Sequence, residues 1–87
     1  MYVVELSLRL TAMPVAVQRK DLTAAQSLYQ ELRQAMEAGH PKLLELTCEK
    51  DEHKRISLLC TELVAIQIYE KSAIGASGKR PGFSLDG

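Results

Sequence analysis

Two cysteines, Cys48 and Cys60, and two histidines, His40 and His53, are the residues of this 87-residue chain whose types could hold a metal, close a disulfide or trade protons near neutral pH. Their spacing suits none of these tasks. Structural zinc sites pair ligands at short spacings such as C-x-x-C, whereas eleven residues separate the two cysteines and His53 falls in the charged run between them. A hairpin turning on that run, with Lys50 opposite Lys54, would set Cys48 across from Ile56 and Cys60 across from Leu44. The cysteines would then face the same core but stand four residue steps apart, about 13 Å at a strand's rise, beyond the roughly 7 Å between Cα atoms that a disulfide spans. The expectation is two small buried side chains. His40 precedes Pro41 at the end of a helical stretch, where an imidazole can bond the last carbonyls and complement the negative end of the helix dipole. His53 sits beside Asp51 and Glu52 and is expected in a solvated turn. No Ser–His–Asp set or carboxylate pair can be assembled, so the chain is expected to be no enzyme and to hold no metal or cofactor. Gly75, Gly78 and Gly82 have no helix after them to cradle a phosphate.

Three basic pairs remain: Arg19 with Lys20, Lys54 with Arg55, and Lys79 with Arg80. They are set against a chain of zero formal net charge, with 11 Lys and Arg and 11 Asp and Glu. Residues 1–71 carry 9 basic and 10 acidic groups and residues 72–87 carry 2 and 1, so neutrality belongs to the folded part and does not hide a basic domain behind an acidic tail. Phosphate binding needs an excess of cations on one face. Three tyrosines, one phenylalanine and no tryptophan also make no stacking platform for single strands. Nucleic acid is therefore disfavoured, and Arg19, Lys20, Lys54 and Arg55 are kept as the residues of an alternative reading, a regulatory binder of a small ligand or nucleic acid. No apolar run approaches the ~20 residues that cross a bilayer, and no basic-then-apolar leader opens the sequence. Two cysteines are too few for a disulfide scaffold, which points to a reducing, cytoplasmic setting.

The elements that must position these groups follow from periodicity. Apolar residues alternate at Tyr2, Val4, Leu6, Leu8 and Leu10, a half-buried strand. Pro14 interrupts it and Val15 and Val17 resume, which predicts a hairpin with Leu10 opposite Val15 and Leu8 opposite Val17. Over residues 21–38 the period becomes helical, with Leu22, Ala25, Leu28, Tyr29, Leu32, Ala35 and Met36 on one side. Asp21 or Thr23 can cap its start, and Gly39 and Pro41 end it. Alternation returns at Leu44, Leu46 and Cys48, again at Ile56, Leu58 and Cys60, and again at Val64, Ile66 and Ile68. The sum is α+β, ββαβββ: a single domain over residues 1–71, with a five-stranded, mostly antiparallel sheet and one amphipathic helix on one face. The preferred strand order is 2-1-5-4-3, with a ubiquitin-like order, first and last strands parallel, as the competitor. Residues 72–87, with four of the five glycines and few apolar groups, are expected to form a flexible tail.

One helix covers one sheet face. The other is expected to carry Val3, Leu43, Leu59, Ala65 and Tyr69 among polar neighbours, a candidate surface for a protein partner or for self-association. In the tail, Lys79, Arg80, Pro81 and Phe83 form a candidate linear motif with Phe83 as anchor. The strings PVAVQRK at residues 14–20, LLELTC at 43–48, AIQIYEKS at 65–72 and RPGF at 80–83, together with Leu28, Tyr29 and Gln30 in the helix, resemble a family of small uncharacterised cyanobacterial proteins over most of residues 1–83. The resemblance supplies no reaction. It implies a cytoplasmic or thylakoid-surface setting and an accessory role beside photosynthetic or other multi-subunit machinery. The reading is a small non-enzymatic protein-interaction module.

Overall fold

A computed structural model describes residues 1–71, so the expected tail and its motif at Lys79, Arg80, Pro81 and Phe83 lie outside the described residues. The chain runs β1 (Tyr2–Leu8), β2 (Val15–Arg19), α1 (Leu22–Ala38), β3 (Leu43–Thr47), β4 (Arg55–Leu59), a 3₁₀ turn (Cys60–Glu62) and β5 (Leu63–Glu70). The expected α+β class and ββαβββ order are the observed ones. The five strands are divided between two sheets, however: three strands in the order β2-β1-β5, and the hairpin β3-β4 by itself.

In the three-stranded sheet β1 is central and antiparallel to both neighbours. The antiparallel β1–β5 pair is the one expected from the 2-1-5 part of the order, and it removes the ubiquitin-like alternative. The first hairpin is shifted by four residues from its expected register, with Leu6 opposite Val15 and Val4 opposite Val17. The cause lies in the loop of residues 9–14. The Arg9 N–H leaves the ladder to donate to the Glu62 carbonyl at 2.7 Å, and Leu10 takes a left-handed backbone with φ 59°, so the strand stops at Leu8. A shift by an even number keeps every side chain on its expected face. Val4, Leu6 and Val17 are accordingly 0% exposed.

The expected β5–β4 pairing is not made. Between these strands the chain turns through Cys60–Glu62, which is held from both sides: the Cys60 N–H donates to the Lys42 carbonyl, and the Glu62 carbonyl accepts from Arg9. β5 therefore leaves β4 and joins β1. Its first residues carry a bulge, since Leu8 faces Leu63 while Ser7 faces Ala65. Val64 is the extra residue, which bends a strand locally. It is 51% exposed, and Leu63 is buried in the place expected for it.

Helix α1 buries Ala25, Leu28, Leu32 and Ala35, one stripe at helical spacing. Asp21 is its N-cap in extended conformation, but its side chain makes no capping bond. Gly39 ends the helix at φ 76°, donating to Ala35 at 2.8 Å. Nothing lies within 4 Å of where a Cβ would stand there, so glycine is required by backbone conformation rather than by space. The stripe serves both sheets: Val4, Leu6 and Val17 from one, Leu44, Leu46 and Leu58 from the other, close one core around it.

The groove between the helix and the second hairpin

Because β3 and β4 are not edge-paired to the main sheet, the hairpin is held at its loop end. There the Glu49 N–H donates to the Gln18 carbonyl at 2.9 Å. The Arg19 guanidinium donates to the carbonyls of Thr47 at 2.7 Å and Gln18 at 3.0 Å. The Lys54 ammonium donates to the Ala16 carbonyl at 2.7 Å, and the Lys20 N–H to the Glu49 carboxylate. The register places Leu46 opposite Ile56 and Leu44 opposite Leu58, two residues from the expected one. Thr47 pairs with Arg55, so β3 ends before Cys48 and Cys60 lies in the 3₁₀ turn.

Beside that tether, a groove of about 850 Å³ runs between the last turns of α1 and the hairpin, over side chains packed in the shared core. Leu28, Leu32 and Ala35 form its helix wall; Leu44, Leu46 and Ile56 form its hairpin wall. Its rim is charged and mixed: Arg19 and Arg55 against Glu31 and Glu45, with His40 and Pro41 at the end where the helix stops. Arg19 is fixed by its two carbonyls, whereas Arg55 is exposed. An apolar trough with a few oriented polar groups is the usual form of a ligand or peptide site, and the volume lies within the usual range.

The cysteines are free and buried as expected, 6% exposed for Cys48 and 3% for Cys60, and both are hydrogen-bonded. The Cys60 thiol donates to the Ala35 carbonyl at 3.2 Å, fastening the 3₁₀ turn to the helix. The Cys48 sulfur accepts the Gln18 N–H at 3.2 Å. Burial disfavours its thiolate, but the backbone donors of Asp51, Gln18 and Lys50, with the charge of Lys54, outweigh that and hold the thiol below its ordinary value. His53 is exposed in its turn, 3.7 Å from Glu52. His40 lines the groove, and no hydrogen bond of its imidazole to the helix end is found among the described residues.

The candidate partner surface is brought together only in part. Leu43 and Leu59 face each other across the hairpin, 51% and 44% exposed. Ala65 and Tyr69 are exposed on the outer side of the main sheet. Val3 shares that side but is 5% exposed, seated between its cross-strand neighbours Gln18 and Tyr69, so it is a covered residue and not a contact surface. The Tyr69 hydroxyl donates to the Glu5 carboxylate at 3.2 Å, and the Gln67 amide donates to its other oxygen. The four basic residues of the alternative reading do not form one patch: Arg19 and Arg55 reach the groove, while Lys54 is spent on Ala16.

A model of the UPF0367 protein family matches residues 3–71, from the second residue of β1 to the end of the described residues. The chain belongs to the UPF0367 family. A UPF0367 protein of Synechococcus sp. (strain RCC307) is 63% identical over 87 residues, all of both chains. One of Synechococcus sp. (strain CC9311) is 59% identical over 98% of this chain and 77% of its own. One of Prochlorococcus marinus (strain MIT 9211) is 55% identical over 99% of each. The cyanobacterial resemblance read from the strings is thereby shown. No solved structure matches the chain. Among the described residues no helix of this UPF0367 protein is long and apolar enough to cross a membrane.

Proposed function

We propose that this UPF0367 protein is a non-enzymatic interaction module that receives an apolar segment of a partner protein in the groove between α1 and the β3–β4 hairpin. The observation that carries this is the groove itself: a floor of the buried Leu28, Leu32, Ala35, Leu44 and Leu46 with the half-buried Ile56 beside them, and Arg19 and Arg55 on the rim. Guanidinium groups stay protonated at any physiological pH, so they hold and orient a carboxylate or carbonyl but cannot relay its protons, which favours binding over catalysis. Leu43 and Leu59 pair on the hairpin's outer side, facing away from the groove, and are not part of this proposed contact. The relatives are cyanobacterial, and an accessory role beside photosynthetic or other multi-subunit machinery is part of the proposal. A small ligand is the second reading, supported by the volume of the groove and by the same two arginines.

Affinity capture from cyanobacterial lysate with quantitative mass spectrometry tests this, using Ala38→Trp to fill the groove from an exposed position, Arg55→Glu to reverse its rim, and Leu59→Arg as a change outside it. A protein retained by the wild type should lose about tenfold or more in recovery with Ala38→Trp and Arg55→Glu, and remain with Leu59→Arg. Recovery lost with Leu59→Arg alone moves the site to the hairpin's outer side. Equal recovery by all variants overturns the proposal, and a small molecule displaced by Ala38→Trp in native mass spectra favours the second reading instead.

A further inference from the structure

β5 is an edge strand of the three-stranded sheet, and among the described residues its outer edge meets no other strand. That edge is eight residues long, LVAIQIYE, without proline, glycine or lysine and with its one charge, Glu70, at the far end. Proteins normally blunt such an edge with charge, proline or shortness, because a row of free N–H and C=O groups pairs with whatever strand it meets. On the helix side of the sheet, Ile66 and Ile68 are opposite Leu6 and Val4, which are wholly buried. Ile66 and Ile68 themselves are only half-buried, for want of a neighbour beyond them.

The helix beside this edge supplies an independent observation. A second, shallower groove of about 760 Å³ runs between α1 and Ile68. The helix side of it is a stripe at i, i+4 and i+8, Gln26, Gln30 and Gln34, with Thr23 and Ser27 alongside and Glu31 as its one charge. An exposed helix face in a chain that is 25% charged usually carries Lys and Glu. Neutral amides cost less to remove from water than charges do, and each can donate to and accept from an identical copy of itself.

From these two features we infer that a second copy of this chain occupies the β5 edge, forming a six-stranded antiparallel sheet across a two-fold axis with the two α1 helices side by side. A two-fold contact must be complementary to itself. The strand meets that condition with Gln67 opposite Gln67 of the partner subunit. Ile66 then faces Ile68 of the partner subunit, which keeps the apolar residues on the helix side. Pairing Ile66 with itself would instead set Glu62 against Glu70 of the partner subunit. Helix α1 packs most heavily on β5, then on β1, then on β2. With strands about 4.8 Å apart, a helix lying over the β1–β5 boundary meets its copy at an axial separation of about 10 Å, the distance at which helices pack. The glutamine stripes then meet at the axis. Dimerisation would also enlarge a core that is small for a chain of this length.

Sedimentation velocity of the full chain up to about 100 µM should show a species of twice the 9.7 kDa chain mass. Gln30→Glu with Gln34→Glu, both on exposed helix positions, should return it to the chain mass at moderate salt while leaving the circular dichroism spectrum unchanged. A Gln67→Cys variant should be joined to its copy by a short bismaleimide much faster than a Ser57→Cys variant, since the native cysteines are buried. A wild type that stays at the chain mass, a double glutamate variant that still dimerises, or equal cross-linking of the two cysteine variants each overturns the inference.

Discussion

The two sheets of this protein are built from strands of similar apolar content, yet they do different things with it. In the three-stranded sheet β1 is paired on both edges, and its Val4 and Leu6 lose all contact with water. In the two-stranded sheet each strand is paired on one edge, β3 alternates exposed and buried residues, and Leu43 and Leu59 stay half in solvent. The hairpin is tethered at its loop end to β2 through Gln18, Thr47, Glu49 and Lys54, and meets the helix through Leu44, Leu46 and Leu58 and through the Cys60 thiol just beyond β4. The difference teaches where stability and binding capacity reside. A strand paired on both sides specifies the fold, while a hairpin joined to the rest by its loop end, by the Cys60 turn and by one face of side chains borders a groove that is proposed to take a partner.

The largest expected effect separates the two regions directly. Leu6→Ala, at the wholly buried centre of β1, should lower unfolding free energy by about 4 kcal/mol, because no neighbour can collapse into the space. Leu46→Ala on the hairpin wall should cost about 2 kcal/mol, since its side chain borders the groove and the hairpin can settle. Urea denaturation of both variants measures the gap, and equal losses would erase the distinction. A smaller effect concerns the tether. The Cys48 thiol is held below its ordinary value near 9.0 only in the folded protein. Between the folded and the unfolded titration the unfolded chain binds more protons, so stability should rise as pH climbs towards 9 and fall back as pH drops through the folded thiol's range. Cys48→Ala should remove that rise, and a persisting slope would assign it to another group.

Much of this was legible in the sequence. Period-two alternation located all five strands, and the change to period 3.6 located α1, because both reflect the burial of one face. The Gly39 and Pro41 pair marked the helix end correctly. Registers were harder. Leu10 continues the alternation of β1 perfectly, and nothing local says that Arg9 will bond Glu62, fifty-three residues later, and stop the strand. The split into two sheets turned on residues 60–62, which read as an ordinary tight turn until Lys42 and Arg9 are seen to hold them. Val3 was placed on the correct face, but its burial between Gln18 of β2 and Tyr69 of β5 depends on two different strands, the second of them the last among the described residues. The groove was illegible for the same reason: Leu28, Leu44 and Leu46 read as core and are core, and only the small, exposed Ala38 hints at a groove beside the last turn of α1.

Because the β3–β4 hairpin shares no strand pairing with the main sheet, it is expected to open independently of it. Native-state amide hydrogen exchange on the full chain tests it most directly. Interior amides of β3 and β4 should exchange through a local opening about 2 kcal/mol cheaper than that of β1, roughly thirtyfold faster under conditions where exchange reports the opening equilibrium. Equal protection of the three strands, with one common opening free energy, would contradict it.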